Sequence, residues 1–159
     1  MLPLFVLLSV LIAPVQARPD FSGSWTFDRE QTMKQPPSPD GRLVIAAMLG
    51  DDFVANQDDR ALHLTIKAMG QTVNATYNLD GSESRNISPG EIVVVSRAQW
   101  EGDKLVIRSS STSTERGKPL TIETTRTIWL AKDGSLYMQR TGTPATEVTP
   151  STSIYKRNR

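Results

Sequence analysis

The sequence predicts an all-β protein: a single up-and-down antiparallel β-barrel of about 8–10 strands, with one short helix after the first strand. Segments with alternating apolar and polar residues follow one another along most of the chain, and turn signals containing Gly, Asp or Pro separate them. Because each segment has one apolar face, the sheet closes most simply by curling until those faces meet inside. A two-sheet sandwich is the alternative, but it usually needs longer crossover connections.

The strands are predicted from this alternation. In residues 61–67, Leu62, Leu64 and Ile66 share one face, and the residues between them are polar. In the next segment Tyr77 lies in phase with apolar neighbours and is expected inside the barrel. The predicted strands are, in order, Ser22–Asp28, Phe53–Gln57, Ala61–Lys67, Thr72–Leu79, Glu83–Ile87, Ile92–Trp100, Lys104–Thr112, Leu120–Leu130, Ser135–Thr143 and Thr152–Lys156.

A helix is predicted over Asp40–Gly50, with a strand as the alternative. Gly50 ends the run, and four apolar residues share one helical face: Leu43, Val44, Ala47 and Met48. The Pro-rich segment 35–39 before it is a stiff connector within one domain, because too little chain precedes it to fold alone.

Residues 1–17 are predicted to be a signal peptide, and residues 18–159 one β-barrel domain. The apolar run Leu2–Ala13 has the length of a signal-peptide core and is short for a membrane span. Cleavage after Ala17 gives a mature chain that begins at Arg18; an uncleaved anchor is the alternative. The expected location is therefore the periplasm or the outside of the cell.

Composition excludes several kinds of function. The net charge of +1 comes from balanced charges scattered along the chain, so no nucleic-acid partner and no membrane span in the mature form are expected. The chain has no Cys and one His, His63, on the polar face of its strand, so no metal and no cofactor are expected. No catalytic constellation is visible, and we expect a monomer that is not an enzyme.

The first strand carries the motif Gly23-Ser24-Trp25, preceded by Phe21. It resembles the Gly-x-Trp start of the calycin superfamily, the lipocalins and fatty-acid-binding proteins, and in character it is similar to small secreted bacterial lipocalin-like proteins. The resemblance implies that Trp25 closes one end of the barrel and that a basic residue of the last strand, Arg157 or Lys156, lies over its ring. It covers most of the predicted mature chain.

The last strand departs from the fatty-acid-binding pattern. The resemblance implies an Arg-x-Tyr pair that holds a carboxylate, but here Ser153 replaces the Arg and Tyr155 remains. Strand alternation nominates two other arginines, Arg126 and Arg140, because each lies in phase with the apolar residues of its strand. An inward arginine must be paired or must await an anion. A bulge that turns these side chains to solvent is the alternative.

Two functions remain. The first is a binding barrel for a small apolar or amphipathic ligand, which could be acidic, with Arg126, Arg140, Tyr155 and Tyr77 as the candidate ligand-binding residues. The second is a structural or interaction protein of the cell envelope, with a filled barrel and no ligand. An empty interior of several hundred cubic ångströms would favour the first function.

Overall fold

The protein is described by a computed structural model that covers residues 18–37, 48–68, 70–115, 117–143 and 149–158. The predicted signal peptide lies outside the described residues. The described elements comprise ten strands and one helix: β1 Gly23–Phe27, α1 Arg29–Met33, β2 Asp52–Gln57, β3 Ala61–Ala68, β4 Gln71–Asn78, β5 Glu83–Ser88, β6 Ile92–Glu101, β7 Lys104–Glu115, β8 Lys118–Leu130, β9 Leu136–Gly142 and β10 Ser151–Arg157.

The strands form one antiparallel ten-stranded sheet in the order β4-β3-β2-β1-β10-β9-β8-β7-β6-β5. Described strands that follow one another in the sequence pair with one another, and the one exception is β4 with β5. The first strand, β1, lies between β2 and the last strand, β10. The predicted up-and-down barrel is therefore confirmed. Its two edge strands, β4 and β5, face each other across the one seam where no backbone ladder joins neighbouring strands of this sheet.

Side chains close the seam between β4 and β5. The amide of Asn86 on β5 accepts a hydrogen bond from Thr76 N at 2.7 Å and donates one to Thr76 O at 3.0 Å. Two residues along, Asn78 N donates to the Ser84 hydroxyl at 2.8 Å. An Asn side chain carries the same donor and acceptor as a peptide group, so Asn86 replaces part of the missing ladder. The barrel is nearly closed.

The predicted alternation is confirmed by burial. Leu62, Leu64, Ala75 and Tyr77 are buried in the core, and strands β6–β9 contribute Ala98, Leu105, Ile107, Ile128, Leu136 and Met138. The core fills the end of the barrel that carries the β2–β3, β4–β5 and β6–β7 turns. The buried ring of Phe21 stacks on the partly buried ring of Trp100, with 5.6 Å between the two centroids. The other end, where the β3–β4 and β5–β6 turns lie, is the mouth.

One short helix follows the first strand, as predicted, but it lies at Arg29–Met33. Asp28 caps it by accepting a hydrogen bond from Gln31 N at 3.0 Å. Thr32 is buried, and its hydroxyl accepts from Ile154 N at 3.0 Å, which fixes the helix against β10. Most of the helix predicted over Asp40–Gly50 lies outside the described residues. Its last residues form an isolated bridge between Met48 and Gly50 and are not helical.

Candidate ligand-binding site

A cavity of about 430 Å³ occupies the mouth half of the barrel. Its walls come from β3, β4, β5, β6 and β8, and from the segment that precedes β2. Most of the lining is apolar or weakly polar, and three charged residues also line the cavity: Arg126, Lys67 and Asp51. Other lining residues include Met48, Leu49, Ile66, Val73, Tyr77 and Val94. A mainly apolar, concave space of this size with a few polar groups is typical of small-molecule sites.

The opposite half of the barrel is filled. A residual space of only about 10 Å³ lies among the core side chains there, including Phe53, Leu136 and Met138. Leu49 lines both this space and the mouth cavity, so its side chain divides one from the other. A ligand must therefore lie between Leu49 and the mouth.

Arg126 points into the barrel, as the alternation predicts. Its Nη1 donates a hydrogen bond to the Tyr77 hydroxyl at 3.3 Å, across the interior from β8 to β4. Its Nε is buried and has no hydrogen-bond partner among the described residues. The Tyr77 hydroxyl keeps its own proton available for donation, because it accepts from Arg126. The two side chains thus present an N–H and an O–H donor at the wall of the cavity.

Arg140 is the direct ladder partner of Arg126, on β9. It lies in phase with the buried residues Leu136 and Met138, and its Nε is also buried without a hydrogen-bond partner in the described chain. Burial, followed by the charge of Arg126, lowers the pKa of Arg140. Neither guanidinium forms an ion pair with any carboxylate of the described residues.

Tyr155 is buried, but its hydroxyl already has a protein partner. It accepts a hydrogen bond from Leu49 N at 2.9 Å, which ties the segment before β2 to the barrel interior. Burial raises the pKa of Tyr155 to about 12, although the bond from Leu49 opposes the shift, so the phenol stays neutral at physiological pH. Its proton remains available for donation, whereas its position is fixed by Leu49 and by the edge-on ring of Phe53.

The Gly-x-Trp motif of β1 packs Trp25 into the hydrophobic core. Trp25 is fully buried, and its indole N–H donates to Phe21 O at 2.9 Å. Arg157, its ladder partner on β10, lies over the indole with its Cζ 4.8 Å from the ring centroid. Gly23 has a φ of +136°, which side-chain-bearing residues rarely adopt, and the Arg157 stem passes over its Cα. Gly23, Trp25 and Arg157 are thus brought together as one structural unit.

The sequence analysis missed two buried elements, one at the mouth cavity and one outside its lining. The first is Leu49, which lies within the predicted helix but was not one of the residues assigned to its apolar face. Nothing in the sequence near Leu49 indicates a contact with Tyr155, 106 residues away. The second element is a buried pair of hydroxyls, Ser96 and Ser109, whose oxygens lie 2.8 Å apart. Here a signal existed, because both serines lie in phase with the apolar residues of β6 and β7.

Other kinds of site find little support within the described chain. No cluster of three or more His, Cys, Asp or Glu residues suited to a metal ion occurs among the residues that the structure covers. In the same residues, no helix has the length and hydrophobicity needed to cross a membrane. His63 is exposed on the outer face, where its Nδ1 lies 3.0 Å from the Thr76 hydroxyl.

Comparison with solved structures identifies the fold. Apo lipid binding protein 8 of Caenorhabditis elegans superposes with a TM-score of 0.56 at 16% identity, over 87% of this chain and 95% of that one. A point mutant of the fluorescent protein UnaG gives 0.54 at 19% identity, over 87% and 96%. This chain has a calycin-like fold of the fatty-acid-binding-protein type. No protein-family model matches the sequence, and no curated protein matches it significantly.

Within the calycin-like fold, the mouth cavity is the place where an apolar ligand can lie, because the far half of the barrel is filled. The fold and the cavity are consistent with binding of an apolar molecule. The identities at which the two neighbours match are too low to transfer a ligand residue by residue.

Proposed function

We propose that this calycin-like barrel binds a small amphipathic acid, such as a fatty acid, with its apolar part in the mouth cavity and its acidic end at Arg126. The observation that carries the proposal is the cavity of about 430 Å³ with, on its wall, a guanidinium whose buried Nε has no hydrogen-bond partner among the described residues. A guanidinium without a carboxylate partner is costly inside a protein, and an anionic ligand relieves that cost. The lipid-binding neighbour supports the same class of ligand.

Binding without catalysis fits the site better than an enzymatic function. The only histidine of the chain, His63, faces away from the cavity. The phenol of Tyr155 is held neutral and bonded to Leu49, so it is a poor general base. The alternative function, a filled barrel acting as a structural or interaction protein, is disfavoured because the mouth half is empty.

The test begins with ligands that accompany the purified protein. The full chain is expressed in a host that exports it, and an organic extract of the purified protein is analysed by mass spectrometry. Any acid found, or otherwise a fluorescent fatty acid, is titrated against the unaltered protein, Arg126→Leu and the control Arg108→Leu. Arg108 is exposed on the outer face of β7 and pairs with Glu101 at 2.9 Å, so its loss changes charge without touching the cavity.

We expect Arg126→Leu to weaken binding of the acid about tenfold or more, as loss of a charge-assisted hydrogen bond does. Its stability should equal or exceed that of the unaltered protein, because an uncompensated buried charge is removed. Arg108→Leu should bind normally. Equal binding by all three proteins would show that Arg126 does not hold the acidic end, and no binding at all would favour the structural role.

We also propose that the protein is exported and acts in the periplasm or outside the cell as a monomer. The apolar run Leu2–Ala13 and the small residue Ala17 support cleavage after residue 17. Intact-mass measurement of the exported protein should give a chain that begins at Arg18. Retention of residues 1–17 would replace this proposal with membrane anchoring.

A further inference from the structure

The inner faces of β8 and β9 place two arginines side by side. Arg126 and Arg140 are directly opposed in the antiparallel ladder. The Cβ atoms of directly opposed residues lie about 4.5–5.5 Å apart, and like charges in that arrangement destabilise the sheet. Both side chains are only partly exposed. The barrel therefore maintains two like charges at one point of its interior.

One described acid, Asp51, lines the mouth cavity together with Arg126, but it forms no ion pair with either arginine. The buried Nε of each arginine lacks a hydrogen-bond partner, and no described carboxylate forms an ion pair with either residue. The neighbouring acid on the same strand, Glu123, is exposed on the outer face. The Tyr77 hydroxyl satisfies one Arg126 nitrogen but is neutral, so it leaves the charge in place.

Inward hydroxyl groups also lie near the arginine pair. Ser109 lies opposite Thr124, which is two residues before Arg126 on the same face of β8. Ser109 and Ser96 are both buried, and their oxygens lie 2.8 Å apart. Hydroxyl groups can donate to an anion without opposing its charge. The site thus combines two cations with neutral donors.

We propose that the ligand's head group carries two negative charges, as a phosphate monoester or a geminal dicarboxylate does, and that Arg126 and Arg140 bind it together. This inference rests on the proposed binding function and specifies the class of acid. A monocarboxylate compensates one of the two guanidinium charges, whereas a dianion compensates both and offers enough oxygen atoms for donors from both arginines. The apolar body of the ligand lies toward Leu49 in the mouth cavity.

The experiment compares head groups on one apolar chain. Dodecyl phosphate, dodecylmalonate and dodecanoate are titrated against the full chain by displacement of a fluorescent fatty acid, below their aggregation concentrations, at pH 5 and pH 8. A phosphate monoester acquires its second charge with a pKa of about 6, whereas a simple alkanoic acid is already more than half ionised at pH 5, so its ionised fraction less than doubles by pH 8. We expect dodecyl phosphate to bind about tenfold more tightly at pH 8 than at pH 5, because its second charge adds one ionic contact. Dodecanoate should change little.

The variants assign the effect to the arginine pair. Arg140→Leu should lose the preference for dodecyl phosphate and its pH dependence while retaining dodecanoate binding through Arg126. The control Arg108→Leu should behave as the unaltered protein. Tighter binding of either dianion than of dodecanoate at pH 8 supports the proposal, and the preferred dianion identifies the chemistry of the head group.

The pH series on the unaltered protein tests the head group even where Arg140→Leu does not fold. Equal affinity for dodecanoate and both dianions at pH 8 would overturn the two-charge head group and leave the proposed binding function standing. Failure of all three amphiphiles and of the fluorescent fatty acid to bind would overturn both.

Discussion

The side-chain amide of Asn86 forms two hydrogen bonds with the backbone of Thr76, one to the N–H and one to the C=O, across the seam where β4 and β5 have no ladder. We expect Asn86→Ala to leave both backbone groups without these partners and to lower the free energy of unfolding by about 1–3 kcal/mol. Hydrogen exchange of the Thr76 amide should accelerate, because the seam opens locally.

A matched control is Asn74→Ala. Asn74 lies on the same strand as Thr76, but its side chain is exposed and accepts from the Thr65 hydroxyl on the outer face. Its loss should change stability by no more than about 0.5 kcal/mol, as is usual for surface positions. Unchanged exchange at Thr76 in the Asn86 variant would show that the seam is held by other contacts.

Leu49 should set the length of the bound molecule. It separates the mouth cavity from the filled half, so Leu49→Ala joins the two spaces and should shift the preferred fatty-acid chain toward longer homologues. We expect the variant to lose about 2–5 kcal/mol of stability, as buried leucines do on truncation. Leu136→Ala is the control, because Leu136 lines only the filled half. A chain-length optimum that moves equally in both variants would contradict the dividing role.

The stability of the core should depend on Trp25. Its indole is fully buried, and Trp25→Ala should lower the free energy of unfolding by about 3–5 kcal/mol, measured by denaturant titration. Arg157→Met should cost about 0.5–1 kcal/mol, the range of an exposed cation–π contact. Lys104→Met provides the comparison, because Lys104 lies 4.7 Å from the Trp129 ring on the outer face. A denaturant midpoint unmoved by Trp25→Ala would show that the indole is not a core residue.

Asp28 should make stability sensitive to acid. Burial alone would raise its pKa, but the bond from Gln31 N and the contact with Lys156 outweigh burial, so the pKa lies below the ordinary 3.8. The ionised carboxylate therefore stabilises the fold at pH values above 3.8, and this stabilisation is lost as the pH falls through the lowered pKa. Asp28→Asn should be less stable than the unaltered protein at pH 6, and the difference should shrink below about pH 4.

The control for that experiment is Asp59→Asn, at an exposed position in the turn before β3. Asp59→Asn should have the same free energy of unfolding as the unaltered protein at pH 6, because an exposed turn position contributes little to stability. Unfolding curves at several pH values measure both differences. A constant gap between Asp28→Asn and the unaltered protein down to about pH 2 would exclude Asp28 as the source of acid sensitivity.

The sequence predicts the strands well because their signal is local. Leu62 and Leu64 indicate an inward face by alternation alone, and the same rule places Arg126 inside without knowledge of any partner. The position of the helix at Arg29–Met33 was not predicted, because five residues are too few to show a 3.6-residue period, and its main signal is the capping residue Asp28.

The site is harder to predict because its decisive contacts join distant segments. Nothing near Leu49 indicates that its N–H binds Tyr155, and nothing near Asn86 indicates that it pairs with Thr76 across a seam. Alternation nominates Arg126 and Arg140 separately, but their side-by-side placement depends on the register of β8 against β9. Register follows from turn lengths and the packing of the whole barrel.

The ladder between β1 and β10 also constrains how the molecule folds. Trp25 pairs with Arg157, so one edge of the first strand can pair only after the last strand is in place. Contacts between such distant positions are slow to form, because a long loop must close first. On the ribosome, this ladder cannot form until residue 157 has emerged, and until then one edge of β1 stays unpaired. A circular permutant in which the end of β10 is linked directly to the start of β1 should form this ladder faster. The change in Trp25 fluorescence during refolding should measure the rate at which β1 and β10 pair.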